Sequence, residues 1–208
     1  MLTHRHHRGL TLLELMVVVA IIAMMTALAM PGLRAWSANA QLRTTANVLQ
    51  VSIKQAQAEA VKSFRQVVFF RTNDATCTGA ETAVENGTRW VIKVLPLVST
   101  GSATAAACGP MLEGAPTIAV TGPTAVCFNG NGRPMAMTTA QNGLGVACTT
   151  GSNNRIIYGL DSTTSTPNLK KLQVWLTLGG SVRSCEKTRA LSADVPDGCP
   201  AINQSPTT

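Results

Sequence analysis

The residue best suited to chemistry near the N-terminus is a single carboxylate, Glu14, inside an apolar run. Residues 10–30 comprise 21 positions, and Glu14 is the only charged one among them. A helix of this length rises about 32 Å, which matches the roughly 30 Å hydrocarbon core of a bilayer. A carboxylate at this depth costs about 2.5 to 3.5 kcal/mol on insertion scales, so it requires a partner. The sequence predicts a membrane-spanning segment whose acid is neutralised by another group.

The residues before the apolar run indicate where such a group could come from. Arg5 and Arg8 give a basic start like that of a secretory signal peptide, whose apolar region, however, is shorter and contains no acid. A cut between Gly9 and Leu10 would create a positively charged α-amino group, with Glu14 as the fifth residue of the mature chain. Geometry disfavours a pair between Glu14 and its own terminus but permits one with a neighbouring subunit. A plain membrane anchor with an isolated acid is the alternative.

The stretch RGLTLLELMVVVAII, residues 8–22, resembles the prepilin signature of type IV pilins and type II secretion pseudopilins. The resemblance implies that a prepilin peptidase cuts after Gly9 and that the new N-terminus at Leu10 is methylated. It also implies that Glu14 neutralises an adjacent subunit's amine during filament assembly. Leu10 stands where the family more often has Phe.

The same resemblance implies a location and a set of partners. Residues 1–9 would be the leader peptide, and residues 10–30 the transmembrane and filament-core helix. The chain would cross the bacterial inner membrane once, and would then enter a pilus or pseudopilus with its C-terminal domain in the periplasm or outside the cell. Its partners would be other pilin subunits, the prepilin peptidase and the inner membrane.

The chain carries no pattern of catalytic residues. Its three histidines, His4, His6 and His7, all fall in the leader, so the mature chain has none and cannot form a Ser-His-Asp or Cys-His centre. The carboxylates are scattered without an evident pair. The glycines of residues 130–132 lack the third glycine of a dinucleotide loop. We expect neither enzyme activity, nor a cofactor, nor a metal site.

Six cysteines follow the apolar run, and their even number on the exported side predicts disulfides formed in an oxidising compartment. They are Cys77, Cys108, Cys127, Cys148, Cys185 and Cys199. No spacing is CxxC, which argues against a metal or thioredoxin-like centre. The favoured pair is Cys185 with Cys199, whose short loop would contribute about 3 kcal/mol. The pairing of the other four stays open.

The chain is basic, with 17 Lys and Arg against 10 Asp and Glu and a formal net charge of +7. Without the leader it has 15 basic and 10 acidic residues, a net charge of +5. Basic side chains are concentrated near the end of the chain, at Lys170, Lys171, Arg183, Lys187 and Arg189, where they could contact the phosphates of a polyanion. Such contacts need only phosphates and fall off with salt. The alternative is a solvated strand face, in which the lysines keep an exposed sheet edge from pairing with other chains and aggregating.

The elements that would position these residues begin with one long helix, from Leu10 to Phe64. Pro31 and Gly32 predict a kink or local melting within it, because proline removes one helical hydrogen bond and clashes one turn back. Residues 31–65 would form an amphipathic continuation that packs on the domain. Its apolar stripe comprises Leu42, Ala46, Leu49, Ile53, Ala56, Ala60 and Phe64.

Residues 66–208 predict an exported, β-rich globular domain with disulfides. The candidate strands are Gln66–Arg71, Thr88–Leu97, Thr117–Thr121, Val126–Phe128, Arg155–Leu160 and Leu169–Leu178. Residues 72–87 and 99–116 predict long loops, and residues 194–208 an irregular C-terminus. Trp90 and Trp175 are expected in the core of the sheet. The predicted fold class is α+β and pilin-like: a long N-terminal helix, apolar in its first half, packed on an antiparallel sheet domain.

The order of these elements resembles the GspH/FimT branch of minor pilins, through Trp90, FNGNGRP at residues 128–134 and VWLTLGGSVRSC at residues 174–185. The predicted function is that of a minor type IV pilin that helps to assemble or prime the filament. FimT-like members bind DNA in natural transformation through a GRxR motif. The matching residues here are GSVR at 180–183, with Ser181 in place of the first arginine. DNA uptake and a type II secretion pseudopilin are the alternatives.

Overall fold

The structure is a computed structural model, and it describes residues 11–97, 101–151, 154–164, 169–196 and 198–200. One long helix is followed by strands and a single helical turn. The elements are α1 (Leu12–Ser63), β1 (Val67–Thr72), β2 (Arg89–Val94), β3 (Thr104–Pro110), β4 (Ile118–Thr121), β5 (Ala125–Phe128), β6 (Pro134–Met135), α2 (Thr139–Asn142), β7 (Arg155–Ser162), β8 (Leu172–Thr177) and β9 (Val182–Glu186). The predicted α+β class is confirmed.

Helix α1 is a single helix of 52 residues with a defined cap at each end. At its start, the Thr11 hydroxyl accepts the Glu14 backbone N–H at 3.2 Å. At its end, Phe64 adopts a left-handed conformation, φ 52°, and its N–H reaches the carbonyls of the last turn. The helix is unbroken through Pro31 and Gly32, so local melting does not occur there, and the kink expected at these two residues stays a prediction. Proline deletes one hydrogen bond, and the long helical segments on both sides sustain the rest.

The second half of α1 buries its predicted apolar stripe, including Leu42, Leu49 and Ile53. Phe64 was assigned to the same stripe, and that assignment is wrong, because its side chain is 83% exposed. The left-handed turn at Phe64 ends the helical repeat, so its side chain leaves the face that the repeat would have given it.

The strands form two antiparallel sheets on which α1 packs. The first has the order β3-β2-β1-β5-β6 and the second β4-β7-β8-β9. The buried face of α1 contacts β1 of the first sheet and β7, β8 and β9 of the second. The main core lies between the helix and the inner faces of both sheets.

Three observed strands, β3, β6 and β9, had no predicted counterpart. β3 lies inside the segment predicted as a loop, and its sequence TAAACGP has no apolar alternation. It is defined by its pairing with β2, where Val91 lies opposite Cys108. β9, with the sequence VRSCE, has polar residues at three of its five positions and is defined by its pairing with β8. Pairing partners that are distant in sequence leave no local signal.

A second, smaller core covers the outer face of the first sheet. It contains Val68, Phe70, Val91, Ala125 and Cys127, with Met137 and Cys148 from the segment after β6. Because β1 is buried on both faces, its sequence VVFFRT shows a nearly continuous apolar run.

Three disulfides hold irregular segments against these sheets. The pairs are Cys77–Cys108, Cys127–Cys148 and Cys185–Cys199. The first ties the segment after β1 to β3, the second ties residue 148 to β5, and the third ties the C-terminal segment to β9. The third pair is the one that the sequence favoured.

Candidate assembly helix and basic surface

The first half of α1 projects from the domain as a bare apolar helix. Leu12–Met30 spans 19 residues with a mean hydropathy of 2.5, and none of it is buried by the rest of the described chain. At 1.5 Å per residue it is about 28 Å long, close to the thickness of a bilayer core. Its Leu, Ile, Val and Met side chains are exposed on every face. Such a helix requires lipid or other helices around it.

Glu14 lies in the first turn of this bare helix. Among the residues that the structure describes, no cationic side chain lies within salt-bridge distance of it. Gly9 and Leu10, the predicted cleavage and methylation positions, lie outside the described residues. The pairing of Glu14 with a neighbouring subunit's amine therefore stays a prediction.

The predicted basic residues are separated along the axis of α1. The Lys170 backbone N–H donates to Asn39 Oδ1 at 2.9 Å, so β8 begins beside Asn39. Gln50 Nε2 donates to Val182 O at 3.3 Å, so Arg183 lies beside the middle of the domain. Eleven residues of helix separate these two levels, or about 16 Å. Arg183 is thus well removed from Lys170.

Lys171 and Lys187 lie at about the same height along α1 as Asn39, because Lys171 follows Lys170 and the Lys187 N–H donates to Lys171 O at 2.8 Å. Lys170 Nζ lies 2.7 Å from Glu186 Oε2, and Lys171 Nζ lies 3.9 Å from Asp161 Oδ1. The hydrogen bond from Lys170 is the main cause that lowers the pKa of Glu186 below its ordinary value.

Two helix residues that the sequence did not single out lie near the same end of the domain, nine residues apart and therefore on opposite faces of α1. Arg43 lines a cavity of about 210 Å³ together with Leu172 and Glu186, and Arg34 is exposed one turn beyond Met30. The sequence feature that could have identified them is their position soon after the apolar run. The Arg189 N–H donates to Glu186 O at 2.9 Å, which places Arg189 at this end as well. We call the cations at this end of the domain the proximal basic cluster; it comprises Arg34, Arg43, Lys170, Lys171, Lys187 and Arg189.

Arg183 has different surroundings. It lies opposite Trp175 in the β8–β9 register, and the Arg155 guanidinium is 5.5 Å from the Trp175 ring. A cleft of about 430 Å³ is lined by Arg183, Trp175 and Gln50. Trp175 is only 8% exposed and packs with the Cys185–Cys199 disulfide. The ring is therefore part of a small core, and little of its surface is open for a base to stack on.

Two family models match this chain. Residues 4–30 match the prokaryotic N-terminal methylation motif, and residues 45–168, more than half of the chain, match the model described as type II transport protein GspH. The chain belongs to the GspH family of minor pilins and pseudopilins. In this GspH-family chain the first match contains Gly9, Leu10 and Glu14, and the second runs from the buried half of α1 past β7. The family consists of structural pilin subunits.

Two solved structures resemble this GspH-family chain. Both are crystal structures of the type IV minor pilin FimU from Pseudomonas aeruginosa strain PAO1. One is 14% identical, with a TM-score of 0.45, over 68% of this chain and 86% of FimU. The other is 12% identical, with a TM-score of 0.43, over 68% of this chain and 90% of FimU. No curated protein sequence matches the chain.

Three buried charged residues, Arg71, Lys93 and Glu81, make polar contacts inside the GspH-family domain. The Arg71 guanidinium donates to Val120 O at 2.6 Å and Gly122 O at 2.9 Å. Lys93 Nζ lies 3.3 Å from Glu81 Oε2 and donates to Glu81 O at 2.9 Å. Among the residues that the structure describes, no group of three His, Cys, Asp or Glu could hold a metal ion.

Proposed function

We propose that this protein is a minor type IV pilin, cut by prepilin peptidase after Gly9 and built into a filament through the bare half of α1. One observation carries the proposal. The apolar segment Leu12–Met30 and the domain-packed half of α1 are one continuous helix. A protein with this construction can move from a bilayer to a bundle of like helices without refolding, because both surround the helix with apolar groups.

Glu14 gives this assembly its register. A carboxylate within an apolar helix bundle is costly unless a cation lies beside it. The new α-amino group of an adjacent subunit, four residues before that subunit's own Glu14, supplies the cation at one axial offset only. The exported domain would then prime or cap the filament, in contact with other pilin subunits.

The experiment compares filaments sheared from cells that produce the full-length chain or its Glu14→Ala variant. We expect equal amounts of both chains in the membrane, but only the unaltered chain in the sheared filaments. Glu113→Ala, in an exposed loop of the domain, is the matched control and should be incorporated normally. Incorporation of Glu14→Ala at the unaltered level would refute the pairing.

Gly9→Leu tests the processing step separately. The larger side chain should block the peptidase, so the leader stays attached and the chain runs as the longer form on a denaturing gel. A band of mature size would contradict cleavage after Gly9.

A role as a type II secretion pseudopilin is the second candidate, because the matching family model carries the description of a type II transport protein. Loss of the gene distinguishes the two functions. Loss of surface filaments with normal protein export supports the pilin, whereas loss of export with intact filaments supports the pseudopilin.

A further inference from the structure

We propose that the membrane-proximal end of the domain binds anionic phospholipid headgroups through the proximal basic cluster, with Trp36 inserted at the bilayer interface. This inference rests on the proposed anchoring of Leu12–Met30 in the membrane. It concerns the subunit before assembly, when the domain stands on the bilayer surface.

Trp36 lies at the height of the headgroups. It follows Met30 by six residues on the same helix, which is about 9 Å. The headgroup layer on each side of a bilayer is roughly 5 to 8 Å thick, and helical side chains tilt back toward the N-terminus. The Trp36 ring is 72% exposed, and tryptophan is enriched at this depth in membrane proteins. Its ring is therefore placed where lipid headgroups lie.

The domain meets the membrane directly above Trp36. Trp36 lines a groove of about 360 Å³ together with Pro110, Met111 and Glu113 from the segment that begins at the end of β3. On another side of the helix, Lys170 contacts Asn39, which is nine residues or about 14 Å beyond Met30. The backbone of Lys170 thus lies roughly 6 to 9 Å above the headgroup layer. A lysine side chain that starts at this height can extend to the headgroups.

The charge at this end favours anionic lipid. The proximal basic cluster has six cations, and the acids that contacts place beside it or beside Trp36 are Glu113, Asp161 and Glu186, which leaves a net charge of +3. Lys171 and Lys187 are exposed. Basic residues within a Debye length of about 8 to 10 Å of a membrane surface are attracted to acidic headgroups.

The same placement disfavours a nucleic acid as the ligand of this cluster. A duplex would have to enter between the domain and the bilayer to reach Lys171 and Lys187. Arg183, the arginine of the GSVR segment, lies about 16 Å farther along α1 and does not take part. The headgroup phosphates, in contrast, already lie in the plane that the cluster faces.

The test uses the full mature chain in nanodiscs of zwitterionic lipid, with or without about one-third anionic phosphatidylglycerol. An amine-acylating reagent followed by mass spectrometry measures the reactivity of each lysine. We expect Lys171 and Lys187 to react about fivefold more slowly in the anionic discs, and to recover at high salt. Lys62, 78% exposed at the far end of α1, is the internal control and should react equally in both.

Each other outcome overturns the proposal. Equal reactivity of Lys171 and Lys187 in both kinds of disc would show that the cluster does not bind lipid. Slowing of Lys62 to the same extent would show a non-specific effect of charge. Stronger protection by added duplex DNA in zwitterionic discs than by anionic lipid would assign the cluster to nucleic acid. A chain that fails to insert into the discs at all would instead overturn the proposed anchoring.

Trp36 is tested by its fluorescence in the same discs, made with lipids brominated at shallow or deep positions. We expect a component quenched by the shallow bromines that Trp36→Phe removes, whereas Trp90→Phe leaves it in place. The same quenching in the Trp36→Phe chain would place Trp36 away from the interface and overturn its role.

Discussion

Gln57 and Gly180 join helix α1 to the turn between β8 and β9: Gln57 Nε2 donates to Gly180 O at 2.8 Å. The same amide donates to Gly132 O at 3.2 Å in the turn between β5 and β6. One side chain therefore connects the helix to both sheets. Gly180 has φ 89°, and a Cβ there would lie 3.2 Å from Gln57 Nε2, so the close approach depends on glycine.

Replacing this side chain should destabilise the domain. We expect Gln57→Ala to lower the free energy of unfolding by about 1 to 3 kcal/mol, because two carbonyls lose their donor. Chemical denaturation of the full chain in detergent measures the change. Gln55→Ala, exposed on the same helix, should stay within about 0.5 kcal/mol of the unaltered chain. Equal stability of both variants would contradict the role of Gln57.

Arg71 should contribute more to the free energy of unfolding than a charged residue in a strand usually does. Its guanidinium is buried and donates to the carbonyl of Val120, in β4, and to that of Gly122, directly after β4. It also lies 6.0 Å from the Tyr158 ring centre. Burial lowers the pKa of Arg71. We expect Arg71→Met to cost about 2 to 3 kcal/mol in thermal or chemical unfolding, because Val120 O and Gly122 O lose a charged donor. Arg183→Met, at an exposed position, should change stability little, and a similar loss in both variants would contradict this assignment.

The stability of the domain should fall in acid through Glu81. Burial raises the pKa of Glu81, but hydrogen bonds from the backbone N–H groups of Gly79 and Thr78 and from Lys93 outweigh it, so the pKa lies below its ordinary 4.5. A carboxyl with a lowered folded pKa contributes stability that is present above 4.5 and is lost as the pH falls through the folded value.

Unfolding measured between pH 7 and pH 3 checks this. We expect Glu81→Gln to be less stable at pH 7 and to lose less stability on acidification than the unaltered chain. Glu113→Gln, in an exposed loop, should follow the unaltered curve. Parallel pH profiles for Glu81→Gln and the unaltered chain would show that the ionised carboxylate contributes nothing.

The Cys185–Cys199 disulfide should stabilise the C-terminal segment over Trp175. Its partners are 14 residues apart, a loop for which the chain-entropy model gives about 3 kcal/mol. We expect the double variant Cys185→Ser, Cys199→Ser to lose about that much and to shift Trp175 emission to longer wavelength as water enters. Ser184→Ala, a neighbouring exposed change, should do neither. An unshifted emission spectrum would mean that the disulfide does not cover the ring.

The elements that were predicted correctly from the sequence are those with an apolar pattern that repeats over a few residues. The apolar run after residue 10 and the stripe from Leu42 to Ala60 follow from local spacing, since an α-helix brings every third or fourth residue to one face. The apolar strands β1, β2 and β8 were predicted for a similar reason. β3 and β9 were not, because their small and polar residues become strands only through pairing with β2 and β8.

The sequence by itself determined that this chain has a membrane-length helix with one acid, a β-rich domain after it and paired cysteines, because each depends on residue type and local spacing. Only the tertiary structure decided how the basic residues are arranged. Arg183 and Lys187 are four residues apart, but an extended strand separates them by about 13 Å. Contacts of Lys170 with Asn39 and of Val182 with Gln50 then place one group at the end of the domain nearest the apolar segment, and Arg183 about 16 Å farther along α1.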